Sequence, residues 1–182
     1  MPTATHSSSK KPASKSTRKS TSRSTAGRGQ DAVALLKADH REVEKLFGQF
    51  EKARDEDRKK ALADKICLEL KVHTQIEEEI FYPVSREYLD DEDMVDEAVV
   101  EHAAAKELIG EIEGMQPSDD LYDAKVTVLQ EQIEHHVEEE EKELFPKLKK
   151  TEMDMKAVGA QLKARKEELM GQMDGVQGKA LQ

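Results

Sequence analysis

Between Asp39 and Pro146 the chain repeats itself. Displaced by 62 residues, Asp39-His40 falls on Glu101-His102, Leu46 on Leu108, Gly48 on Gly110 and Glu51 on Glu113. Displaced by 63, His73 falls on His136, Glu77 on Glu140, Glu78 on Glu141 and Pro83 on Pro146. One residue inserted in a loop reconciles the two offsets. Each copy reads His…His-x-x-x-Glu, with 33 and 34 residues between its histidines. A unit written twice at this length points to two similar hairpins packed about a pseudo-twofold axis.

Periodicity identifies the arms of those hairpins as helices. After Asp31, placed as an N-cap, Leu36, Val43, Phe47 and Phe50 recur at helical spacing, with His40 on the same stripe. The polar run Arg54 to Lys60 breaks the pattern. A second helix puts Ile66, Leu70, His73, Glu77 and Ile80 on one face and is expected to end near Pro83. A third, after Leu89-Asp90-Asp91, aligns Val95, Val99, His102 and Ile109 and closes near Gly114 and Pro117. A fourth, from about Ser118, aligns Val126, Leu129, Ile133, His136 and Glu140 and reaches Phe145-Pro146. Beyond Thr151 a weaker pattern (Met155, Val158, Leu162, Leu169) predicts a short accessory helix and a frayed C-terminus over residues 151–182. Short connections make neighbours antiparallel, so the expected fold is all-α: an up-down-up-down four-helix bundle over residues 31–150. At 4% aromatic, the composition suits helices better than a sandwich or barrel.

Charge divides the chain. Residues 1–30 carry seven Lys/Arg and no Asp or Glu; with −10 overall, residues 31–182 hold −17. The basic segment has too little apolar surface to offset ordering entropy and is expected to be a disordered tail. It has no aromatic residue to stack bases and the adjoining domain repels phosphates, so nucleic acid is expected at most as a weak tail contact. No apolar run is long enough to span a membrane and the N-terminus has no apolar signal core. A lone cysteine, Cys67, excludes an internal disulfide and suits a reducing, cytoplasmic setting. It is expected to pack at the bundle edge.

Four histidines occupy the stripe that faces the bundle axis. Two glutamates join them there, Glu77 and Glu140, each one turn after an inward histidine. Burying unpaired carboxylates costs several kcal/mol each, so this pattern calls for a cation. His40, His73, Glu77, His102, His136 and Glu140 make a six-ligand cage of imidazole and carboxylate without sulfur, suited to iron or manganese, with zinc as an alternative. His135 also has a glutamate four residues on, Glu139, but the stripe Val126, Leu129, Ile133 steps onto His136, and His73 and His136 each precede a proline by ten residues. His135 then lies about 100° round the helix, at the rim. Glu138, Glu139 and Glu141 are expected on a solvated face, and Tyr82 and Tyr122 at the bundle ends.

The segments LLKADHREVEKLFGQFE, HTQIEEEIFYP, EHAAAKELIGEIE and HHVEEEEKELFP resemble the hemerythrin-like, or HHE cation-binding, domain. The resemblance implies a non-haem di-iron centre inside the bundle. His40 and His73 would bind one iron and His102 and His136 the other; Glu77 and Glu140 would bridge, with a solvent-derived oxygen as third bridge. The oxygen-carrying hemerythrins have a further histidine where this chain has Lys106 and a bridging aspartate where it has Glu140. Two histidines per iron leave open positions, which favours binding of or reaction with oxygen, peroxide or nitric oxide, in sensing, storage or stress protection. The N-terminal cysteine motif of the family's iron–sulfur repair members is absent. No residue identifies a turnover reaction. The alternative is a non-enzymatic metal-storage or interaction module with a polyanion-binding tail, and the oligomeric state stays open.

Overall fold

The computed structural model describes residue 1 and residues 30–180, with side chains through residue 172, so the expected tail lies almost wholly outside the described residues. The helices are α1 (Ala32–Phe50), α2 (Glu56–Ile76), α3 (Tyr82–Arg86), α4 (Asp93–Glu113), α5 (Tyr122–Glu139), α6 (Phe145–Leu148) and α7 (Met155–Ala180). Five-residue π turns, Glu77–Phe81 and Glu140–Leu144, join α2 to α3 and α5 to α6 without a break. The bundle is thus four rods (α1, α2–α3, α4 and α5–α6) with α7 laid along it, and no strand occurs among the described residues.

The starts of the first two rods follow local chemistry. Asp31 accepts the Ala34 N–H at 2.8 Å and Asp55 accepts the Arg58 N–H at 2.8 Å, each satisfying a donor that an uncapped first turn leaves free. The fourth rod begins at Tyr122 rather than near Ser118. Residues before it turn on Asp119, which accepts the Gln116 N–H at 2.7 Å, and Leu121 enters the helix from a left-handed conformation with φ 70°.

The prolines do not end their helices. Pro83 and Pro146 have no N–H to give, and their rings crowd the carbonyl four residues back. The chain accommodates this by reaching one residue further: the Tyr82 N–H bonds to the Glu77 carbonyl and the Phe145 N–H to the Glu140 carbonyl. The added residue rephases the inward stripe. After Glu77 the buried positions are Phe81, Tyr82 and Ser85, and after Glu140 they are Leu144, Phe145 and Leu148, whereas Ile80 is only half-buried. In α4 the inner face is Val95, Ala98, His102, Ala105 and Ile109; Val99, expected on that stripe, is 38% exposed.

The buried apolar residues form two clusters. One includes Leu36, Ile76, Phe81, Leu144, Phe145 and Leu148; the other includes Val43, Phe47, Leu70, Ile109, Leu129 and Ile133. The inward histidines fall between them along every rod, so a polar layer is enclosed by apolar layers above and below. The C-terminal helix is 26 residues long, more than the short element expected, and it buries Val158, Leu162 and Leu169. Gly159 permits that docking: a Cβ there would lie 2.5 Å from the Gln30 carbonyl oxygen and 2.7 Å from the Ala32 nitrogen. Cys67 is inside the core at 1% exposure, not at its edge, and burial pushes its thiol up to about 12. Among the described residues no helix is long and apolar enough to cross a membrane.

Candidate metal centre

Each rod contributes to the polar layer. His40 comes from α1, His73 from α2, His102 from α4 and His136 from α5, while Glu77 and Glu140 open the two π turns. All six are buried, none more than 5% exposed. The Nε2 atoms of His40 and His73 are 3.1 Å apart, and those of His102 and His136 also 3.1 Å. Glu77 Oε2 lies 3.2 Å from His73 Nε2 and 3.4 Å from His102 Nε2. Glu140 Oε2 lies 3.4 Å from His40 Nε2 and 3.7 Å from His136 Nε2. Each carboxylate therefore stands between a histidine of one pair and a histidine of the other. His40, His73, Glu77 and Glu140 make one group of converging ligand atoms, and Glu77, His102 and His136 another, all within 4.8 Å of each other in each group.

Three of the four outer nitrogens are held by hydrogen bonds, and the fourth only faces a carboxylate. His40 Nδ1 is 2.9 Å from Glu141, His102 Nδ1 3.0 Å from Glu78, His136 Nδ1 2.7 Å from Glu101 and His73 Nδ1 3.6 Å from Asp39. Hydrogen-bonded carboxylates behind His40, His102 and His136 fix those rings and present Nε2 inward, the arrangement found behind metal-bound histidines. His73 Nδ1 and the facing Asp39 Oδ2, by contrast, are buried without a hydrogen-bond partner.

Residues 31–148 match the Hemerythrin HHE cation binding domain. The chain belongs to that family. A DNA nickase of Nostoc sp. is 28% identical over 111 residues, 61% of this chain and 31% of the nickase. An uncharacterized hemerythrin-like protein of Schizosaccharomyces pombe is 27% identical over 114 residues, 62% of this chain and 56% of that one. The chain thus spans about a third and about half the length of these curated relatives. The crystal structure of a hemerythrin HHE cation-binding domain-containing protein from Mycobacterium kansasii has the same fold, with a TM-score of 0.66 at 23% identity over 78% of this chain and 88% of that one.

The HHE site is built for a cation on its own chemistry. Both oxygens of Glu77 and Oε2 of Glu140 are buried without a hydrogen-bond partner, a state that costs several kcal/mol unless a positive charge answers it. Burial and then the charge of Glu140 push the Glu77 carboxyl well above the usual carboxylate range. Burial would raise Glu140 too, but His40, His136 and His73 around it hold it at about 2. Burial and the neighbouring His136 and His73 bring His102 down to about 2, so its imidazole is neutral and free to ligate.

The expected six residues are brought together, and the structure adds others. Tyr82 is not at a bundle end: its hydroxyl donates to Glu140 Oε1 at 3.1 Å and lies 3.2 Å from His102 Nε2. Phe145, its counterpart in the repeat, stacks on the His40 ring at 6.0 Å with planes 8° apart. Glu141 is not on a solvated face: besides His40 it accepts from Lys37 at 2.8 Å and Arg41 at 2.7 Å. Lys106 pairs with Glu78, and Lys166 of α7 reaches Asp39 at 2.7 Å. Periodicity missed these carboxylates because acidic residues beside a ligand read as solvent-facing; the duplication, which matches Glu78 to Glu141 and Asp39 to Glu101, was the signal that held them. An apolar cavity of about 10 Å³ bordered by Val43, Leu70 and Ile133 adjoins all four histidines. A wider groove of about 340 Å³ opens to His40 between α1 and α5.

Proposed function

We propose that the HHE domain holds two iron ions and binds or reacts with small oxidants (oxygen, peroxide or nitric oxide) in cytoplasmic oxygen or redox sensing, storage or stress protection. His40 and His73 would hold one iron and His102 and His136 the other, with Glu77 and Glu140, each placed between the two histidine pairs, serving both. The observation that carries this reading is the position of each glutamate between the two histidine pairs with buried oxygens left unpartnered. When bound, such a pair supplies adjacent Lewis-acidic, redox-active cations with coordination positions left for an exogenous ligand.

The chain's own residues define what reaches that pair. Val43, Leu70 and Ile133 give the cavity beside the histidines an apolar wall and room for a water-sized molecule, which selects a small, weakly polar ligand. The Tyr82 hydroxyl orients Glu140 by hydrogen bonding its outer oxygen. Glu141, Glu78 and Glu101 keep the imidazoles of His40, His102 and His136 in one tautomer and one orientation. Metal analysis joined to absorption spectra under nitrogen, air, peroxide, nitric oxide and azide tests the reading. Two irons per chain with bands that respond to these ligands support it; a site indifferent to all of them, or one selective for zinc, refutes it.

A second reading concerns residues 1–30, whose +7 charge is the one part of the chain suited to a polyanion. In that reading the tail gives weak nucleic-acid contact, in keeping with a nickase among the relatives. Binding of DNA that falls steeply with salt and vanishes in a chain starting at Asp31 supports it; equal binding by the shortened chain refutes it.

A further inference from the structure

We propose that Glu101, His135 and Glu139 form an outer cation site, a docking station at the mouth of a cleft through which a divalent transition-metal cation reaches the buried histidines. The proposal rests on the metal-centre reading above and adds a second, solvent-facing site to it.

His135 Nε2 lies 3.4 Å from Glu101 Oε1 and 3.4 Å from Glu139 Oε1, and one ligand atom from each of the three falls within 4.8 Å of the others. One imidazole and two carboxylates suit the same borderline divalent ions as the interior. The His135 side chain is 62% exposed, so an ion arriving here keeps part of its water. Glu101 connects the two sites: its Oε1 faces His135 while its Oε2 holds His136 Nδ1 at 2.7 Å. Behind this cluster a cleft of about 50 Å³ is bordered by Glu97, Glu101, Glu139 and Glu143, and His136 and Glu140 close its inner end. Glu140 is 2% exposed, and its Oε2 has no hydrogen-bond partner. An acidic passage leading to an unanswered buried carboxylate attracts cations inward and concentrates them at its mouth.

The duplication shows that this passage is a departure and not a by-product of the ligand pattern. The counterparts of Glu97, His135, Glu139 and Glu143 in the first hairpin are Leu35, Val72, Ile76 and Ile80. Leu35, Val72 and Ile76 are buried in the same cluster as Val158, Leu162 and Leu169 of α7, and Ile80 packs against it. On one side of the pseudo-twofold, four apolar residues lie under a helix; on the other, the same four positions carry three carboxylates and an imidazole and are left open. The first-hairpin side is sealed, and the second offers ligands at each of those steps.

The test uses the full chain stripped of metal, with Zn²⁺ loading followed by stopped-flow against a chelating indicator and Mn²⁺ as a paramagnetic probe of the His135 ring signals. His135→Ala and Glu139→Gln remove outer ligands without touching the buried six; Glu138→Gln, on the exposed side of the same helix, is the control. The expected result is one weakly held ion beyond the buried complement and broadening of the His135 signals. Both variants lose that ion and load the interior at least about tenfold more slowly, with unchanged final tightly bound metal and melting temperature. Loading at the native rate, or survival of the weak ion in His135→Ala, overturns the outer site while leaving the buried centre standing. Absence of tightly bound metal from the unmodified chain would sink both.

Discussion

Glu141→Ala probes the carboxylates behind the histidines most sharply, because Glu141 touches no metal-facing atom. Its Oε1 faces His40 Nδ1 at 2.9 Å and accepts from Arg41 at 2.7 Å, and its Oε2 accepts from Lys37 at 2.8 Å. Truncation leaves His40 Nδ1 unpaired in a side chain 2% exposed, so the metal-free protein should lose about 1–3 kcal/mol in urea unfolding. Metal affinity should fall by about 10–100-fold, which is about 1.4–2.7 kcal/mol, because the ring loses both its fixed orientation and the charge that makes Nε2 a better donor. Glu141 is partly solvated, at 14% side-chain exposure, which places the loss toward the lower end of that range. Glu141→Gln keeps an acceptor for Nδ1 and drops only the charge, so it should fall short of the alanine variant in both measurements. Glu138→Ala, with a side chain 59% exposed, should change affinity by no more than about twofold. Competitive titration against a chelator of known affinity, with metal per chain counted independently, reads all three. An alanine variant that binds within about twofold of the unmodified protein would refute the claim that this carboxylate tunes the centre.

Other outcomes follow from the same packing. Chelation should lower the melting temperature, since metal at a thousand times its Kd contributes about 4 kcal/mol; equal melting of a verified metal-free sample would contradict it. His136→Ala should lose most of one buried metal at equilibrium and His135→Ala none, counted as metal per chain after identical purification; the reverse would mean the helical phase is wrong by one residue. Gly159→Ala, although it favours the helix, drives a Cβ into the backbone at Gln30 and Ala32 and should cost about 1–3 kcal/mol in urea unfolding. The Cys67 thiol is raised from 9.0 to about 12. The unfolded chain therefore loses this proton first, and stability should fall as pH rises above 9, by about 1.4 kcal/mol at pH 10. Cys67→Ala should remove that contribution and leave only the later fall from the raised Tyr82 and Tyr122 hydroxyls; an unchanged slope between pH 9 and 10 would refute the assignment.

The sequence disclosed the site better than the shape of the rods that carry it. Histidines on an apolar stripe stand out because burial of imidazole is uncommon, and the repeat removed the ambiguity between His135 and His136. The π turns were hidden because a proline in a helical pattern reads as a stop; nothing in local sequence says that Tyr82 and Phe145 will reach back five residues. That hidden residue also moved Tyr82 from a bundle end to the centre. Val99 was mistaken for core for a different reason: the neighbouring register is filled by Ala98 and Ala105, whose small side chains leave little trace in hydropathy. The length of α7 was understated because much of its outer surface is charged and only Val158, Leu162 and Leu169 mark the inner one.

Two of the four outer carboxylates are exchanged between the hairpins. Glu78 of the first holds His102 of the second, and Glu141 of the second holds His40 of the first. Each half therefore carries the brace for one of its neighbour's histidines and lacks the brace for one of its own. Cut in the loop between Arg86 and Asp93, the chain yields two fragments that can each form a hairpin yet must interlock before His40 and His102 are braced. Metal capture is then a property of the assembled halves.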